Sequence, residues 1–170
     1  MAKKELMTAV IGAAAVTVLA GAVFATTGSG TTGVVAARAA FADVVDLKFS
    51  IRDDYRRRDN IQVRNAGDTV VQQITFAAGG FSGWHSHPGP AVVLIKPGEL
   101  TFYDGEDESC TGRTFSAGQA LIDPGQGHVH FALNQGTTPT EVWVTYFDVP
   151  AGTGSMGVRD DAPAPGNCPF

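Results

Sequence analysis

A chain of 170 residues with 44% hydrophobic residues and a formal charge of −5 is long enough to bury one proper core and short for two domains. The acidic balance argues against a nucleic-acid partner. Glycine at 21 positions and proline at 9, with many β-branched residues and no long run of Ala, Leu, Glu and Lys beyond the first forty, favour an all-β domain rich in turns.

Residues 1–25 read as an export signal. Lys3 and Lys4 form a positive start, residues 6–23 are apolar and Ala-rich, and Val23-Phe24-Ala25 offers small residues at the −3 and −1 positions. The mature protein is therefore expected to be secreted, outside the cytoplasm. If the segment were retained, its 20 or so residues would be about long enough to anchor the chain in a bilayer. Residues 26–43 are expected as a flexible linker, Thr/Gly/Ser-rich to position 33 and at most one or two helical turns thereafter. Residues 44–150 are the predicted β-domain, and 151–170 a Pro-, Gly- and Asp-rich tail. In an oxidising compartment an even cysteine count predicts one disulfide, Cys110 to Cys168, which would fasten that tail to the loop after Asp104.

Within the domain, alternation predicts a first strand over 45–51 and a strong one over 69–76, ended by a turn at Ala77-Ala78-Gly79-Gly80. The cluster Arg56, Arg57 and Arg58, interspersed with Asp53, Asp54 and Asp59, reads as a solvated, self-paired loop. A strand begins at Trp84, is interrupted by Pro88-Gly89-Pro90 and resumes over 91–95. Lys96-Pro97-Gly98 turns the chain into 99–103, and short strands follow over 114–116, 120–122, 128–133 and 141–147. Eight or so strands punctuated by Gly/Pro turns describe a sandwich or barrel.

All four histidines fall in two His-x-His pairs, His85/His87 and His128/His130. Side chains two apart on a strand leave the same face, so each pair aims two imidazoles one way. Neutral imidazole is the commonest side-chain ligand for transition metals, and two such strands side by side would close a metal site. Val93, Ile95, Phe102, Phe131 and Leu133 are candidate apolar walls, and Tyr103, Tyr146 and Glu141 are candidate proton carriers.

The spacing resembles that of the cupin superfamily. Gly79, five residues, His85, one, His87 and then Gly98 is similar to the first cupin motif; Gly118, five residues, Pro124, then Gly127, two, His130, three and Asn134 is similar to the second. The resemblance covers about residues 70–147. It implies a jelly-roll β-barrel of six to eight strands around a metal held by His85, His87 and His130, with Asn134 and the glycines structural. Two positions depart from the pattern. The glutamate ligand usual in the family would fall at Ala91 or Val92, and the second motif has one extra residue between Pro124 and Gly127. The implied centre is thus three histidines with water, or four with His128 as the substitute ligand.

The expected protein is an exported cupin-type jelly-roll barrel preceded by a signal segment. It binds one divalent transition metal (Fe, Mn, Zn, Ni or Cu) for dioxygenase-like or isomerase-like chemistry on a small molecule. The rival reading is a non-catalytic extracellular module that binds a sugar or carboxylate in the same barrel. Small cupins often pair, so a homodimer through an exposed strand edge is the other expected partnership.

Overall fold

Short alternating segments build the whole molecule. In chain order the strands are β1 (Ser29–Ala39), β2 (Leu47–Arg52), β3 (Arg58–Val63), β4 (Asp68–Phe81), β5 (His85–Ser86), β6 (Ala91–Ile95), β7 (Glu99–Asp104), β8 (Arg113–Ser116), β9 (Ala120–Asp123), β10 (His130–Leu133), β11 (Thr140–Val149) and β12 (Asp160–Asp161), with one 3-10 turn over Gly154–Val158. The computed structural model describes residues 25–52 and 58–170. Apart from Ala25, the expected signal segment lies outside them, as do Arg56 and Arg57. Among the described residues no helix is long and apolar enough to cross a membrane.

Among the described residues ten strands form a nearly closed all-β barrel. One face runs β4, β11, β6 and β9; the other runs β5, β10, β7 and β8. The faces join where the end of β4 pairs with β10 at Phe81 and Leu133. Alternation fills the interior: Val142, Val144 and Tyr146 of β11 point in, as do Ala91, Val93 and Ile95 of β6, while Leu94 faces solvent. They meet Val70, Phe76, Leu100 and Ala132 in one core, and each aliphatic side chain of Val or Leu size so buried contributes about 1.5–3 kcal/mol.

A second apolar cluster lies on the outer side of β5 and β10. Trp84 is fully buried there with Tyr103 and Phe131. Phe170 closes over it, 4.8 Å from Phe131 and 4.9 Å from Tyr103 between ring centroids, and the Trp84 indole donates to the Phe170 carbonyl at 3.1 Å. The tail is held there by the Cys110–Cys168 disulfide, as its sequence context predicts.

Several expectations are corrected. Residues 29–39 form neither linker nor helical turns but an eleven-residue strand along β4. Thr31, Thr32, Val34 and Val35 are β-branched, and an available sheet edge overrides a Gly/Ser/Thr composition that looks flexible in isolation. No turn ends β4 at Ala77; the strand bends at Gly79, with φ 72°, and continues to Phe81. β3 had no predicted counterpart, yet it pairs with β2 and buries Ile61 and Val63. The tail adds β12 to the edge of β5, setting Asp160 against Ser86 and Asp161 against His85.

Candidate metal centre

β5 and β10 are neighbours, with His85 directly opposite His130 in the ladder. That register sets their rings 4.3 Å apart between centroids, and His87, one residue past β5, lies on the same side, 4.9 Å from His85 and 5.1 Å from His130. One ligand nitrogen from each of the three lies within 4.8 Å of the others. All three rings are buried.

Two of the imidazoles are oriented by backbone carbonyls. His85 Nδ1 donates to the Gly83 carbonyl at 2.9 Å, and His87 Nδ1 to the Val158 carbonyl at 2.6 Å. A carbonyl only accepts, so each Nδ1 carries the proton and each Nε2 keeps its lone pair. This is the arrangement that outer partners impose on metal-bound histidine. The Val158 contact comes from the tail and left no signal in the sequence pattern.

Burial drives all three rings toward neutrality. It pushes His85 well below its ordinary range, helped by repulsion from His130 and His87. Burial lowers His87 as well, against the pull of Asp123 and the Val158 bond. His130 falls to about 4, burial outweighing the attraction of Asp123. Neutral imidazole is the ligating form, so three buried, neutral and partly pre-oriented rings fit a divalent transition metal.

His128 does not join them. β10 begins at His130, so the strand parity that would aim His128 inward does not reach it. Its Nδ1 lies 2.8 Å from Asp123 Oδ1 and its Nε2 3.1 Å from Asp104 Oδ1. The extra residue of the second motif is absorbed just upstream, where Gly125, Gln126 and Gly127 all have positive φ.

Asp123 is the site residue that reading the sequence missed. It is 4% exposed, its Oδ1 lies 3.4 Å from His130 Nδ1, and its Oδ2 accepts from the Gly125 N–H. Burial alone would raise this carboxyl, but attraction to His130 and the His128 hydrogen bond hold it far below the ordinary carboxylate range. Asp123 also stands directly across the β6–β9 ladder from Ala91, one of the two positions where the resemblance leaves a carboxylate missing. The signal that could have found it is an aspartate ending the apolar strand Ala-Leu-Ile. Asp123, His128 and His130 form a second close group of ligand atoms.

The three histidines open on a cavity of about 470 Å³ walled by Phe76, Val93, Leu100, Phe102, Val144 and Tyr146. A second cavity of about 770 Å³ touches the other side of His130, beside Asp123 and His128. Of the predicted walls, Val93 and Phe102 line the histidine cavity, and Ile95 belongs to the core next to it. Phe131 and Leu133 face away into the Trp84 cluster, because alternation sets both opposite in direction to His130. Of the predicted proton carriers only Tyr146 reaches this cavity, its ring 5.0 Å from His87, and burial keeps its phenol protonated. The Tyr103 hydroxyl accepts from Gln135, and Glu141 accepts from the Trp143 indole.

No family model and no curated protein matches the chain. Similar solved structures include oxalate oxidase, at 27% identity over 47% of this chain and 41% of that one, TM-score 0.41. A cupin-like protein from Thermotoga maritima is similar at 19% identity over 56% of this chain and 65% of that one, TM-score 0.43. Cupin-superfamily proteins are among the structural neighbours. The polyketide cyclase RemF from Streptomyces resistomycificus is also similar, at 14% identity over 45% of this chain and 52% of that one, TM-score 0.41. The chain thus spans about two fifths of the oxalate oxidase it resembles.

Proposed function

We propose that this chain is an exported cupin-type protein that holds one divalent transition metal through His85, His87 and His130 and uses it on a small molecule bound in the barrel. The reading is carried by one observation: three buried ring nitrogens within 4.8 Å of one another, on the wall of a cavity otherwise lined mainly by apolar side chains. The disulfide and the Lys-started apolar leader support export.

Each residue has a distinct part. The Gly83 and Val158 carbonyls hold His85 and His87 as Nδ1–H tautomers, leaving each Nε2 its lone pair. Val93, Leu100, Phe102 and Val144 exclude bulk water, which strengthens polar contacts within the cavity. Tyr146, kept protonated, offers a hydroxyl donor to an oxygen of the bound molecule. A divalent metal at this position supplies Lewis-acid polarisation of an oxygenated substrate and, if redox-active, dioxygen chemistry.

Elemental mass spectrometry on the purified protein, beside a His85→Ala/His87→Ala variant, tests the reading. About one equivalent of a transition metal, lost in the variant, supports it; none in either after reconstitution removes it. Dioxygen uptake by the iron-loaded protein with phenolic, thiol and diketone compounds then separates the two uses of the barrel. Turnover abolished by His87→Ala supports catalysis, and saturable binding without turnover supports a binding module.

A further inference from the structure

His130 differs from its two partners in what stands behind it. His85 and His87 each donate Nδ1–H to a carbonyl at hydrogen-bond length. His130 Nδ1 is buried and makes no hydrogen bond. The backbone carbonyl of His128 acts on the ring, and Asp123 Oδ1 lies 3.4 Å from Nδ1. The carboxylate beside Nδ1 is an acceptor that favours a proton there, and it brings a charge.

That carboxylate is itself fixed. Oδ1 also accepts from His128 Nδ1, Oδ2 accepts from the Gly125 N–H at 3.1 Å, and the Asp123 backbone is locked in β9 against β6. A buried carboxylate held on three sides has little freedom to turn from the ring beside it. Three neutral imidazoles around a divalent cation would leave two positive charges in a low-dielectric interior, which is costly unless an anion lies close. Among the described residues Asp123 is the buried carboxylate beside this group, 3.4 Å from His130 Nδ1.

We propose that Asp123 is the positioning residue of this centre: its carboxylate holds His130 in the Nδ1–H tautomer, with Nε2 turned toward His85 and His87, and supplies the negative charge that three imidazoles lack. The metal-affinity part rests on the function proposed above; the tautomer part does not. A charged outer partner that orients a ligating histidine typically raises metal affinity 10–100-fold. In Asp123→Asn one carboxylate oxygen becomes an NH2 group. Placed toward His130, that donor would force Nδ1 to accept, moving the ring proton to Nε2, where it blocks a metal.

The test uses ¹⁵N-histidine-labelled protein with its disulfide formed, as wild type, Asp123→Asn and Asp123→Ala. Ring-nitrogen NMR of the metal-free protein reads the His130 tautomer, and titration with Co²⁺, followed by its visible absorption, reads affinity and ligand field. The expected result is an Nδ1–H tautomer in wild type that is lost or mixed in the variants. Co²⁺ dissociation constants should rise about 10–100-fold with altered absorption while the stoichiometry stays at one. A wild-type His130 protonated on Nε2 overturns the proposal even if both variants fail to fold. Unchanged tautomer and unchanged Co²⁺ affinity in folded variants overturn it as well. If wild type takes up no Co²⁺, the metal-centre reading fails, and the tautomer alone decides the role of Asp123.

Discussion

Replacing Cys110 and Cys168 together by serine isolates what the disulfide contributes. The bond closes a loop with a sequence separation of 58 and joins Cα atoms 5.2 Å apart. A loop of that length removes unfolded-state entropy equivalent to about 4 kcal/mol at 25 °C by the chain-entropy argument. The tail has other attachments: the Trp84–Phe170 hydrogen bond, and Asn167 Nδ2 donating to the Asp104 and Asp107 carbonyls at 2.9 and 2.7 Å. These survive the substitution, so the loss should come mainly from the unfolded chain. Equilibrium urea unfolding should show about 4 kcal/mol less stability, and the thermal midpoint should fall by roughly 8–16 °C. Trp84, fully buried, should remain protected from acrylamide quenching in the folded variant. A stability loss below about 1 kcal/mol would refute the entropic estimate. A newly quenched tryptophan in the folded state would refute the claim that the tail holds without its covalent link.

Two further outcomes follow from the site and its surroundings. His130 binds its proton with a pKa near 4 when folded against 6.5 as the ordinary value, so below pH 6.5 the unfolded chain gains a proton that the folded protein refuses. The metal-free protein should therefore lose about 3 kcal/mol between pH 6.5 and 4 from this group alone. His85 and His87 act with the same sign, and the depressed Asp123 carboxyl extends the loss to more acid pH. Urea midpoints that stay flat from pH 7 to 4 would contradict this. Asn134 is buried and donates to the Phe76, Ala77 and Thr138 carbonyls, while its Oδ1 accepts from Gly136 N–H. Asn134→Ala should cost about 2–4 kcal/mol by orphaning those groups, measured by urea unfolding, and leave metal stoichiometry unchanged; a cost under about 1 kcal/mol would show the loop to be held by other means.

The same alternation that fills the interior from β6 and β11 let the sequence set His85 and His87 on one side, because side-chain direction on a strand is a local property. The disulfide was legible for a different reason, since compartment and cysteine count constrain it before any geometry is known. Errors arose where direction depended on something distant. Residues 29–39 look like linker until β4 offers them an edge. Phe131 and Leu133 were misplaced for a local reason, since parity with His130, already read as a ligand, sets both on the opposite face.

The sequence by itself determined that this chain is all-β, that His85 and His87 point one way, and that Cys110 and Cys168 are suited to one bond. Only the tertiary structure decided that β5 and β10 are neighbours in the register His85 to His130, that His128 is held by two carboxylates, and that Asp123 and the Val158 carbonyl stand behind the rings. The physical reason is range. Strand parity needs only the next two residues, whereas the contacts that orient and neutralise a buried imidazole come from segments brought together by pairing and burial.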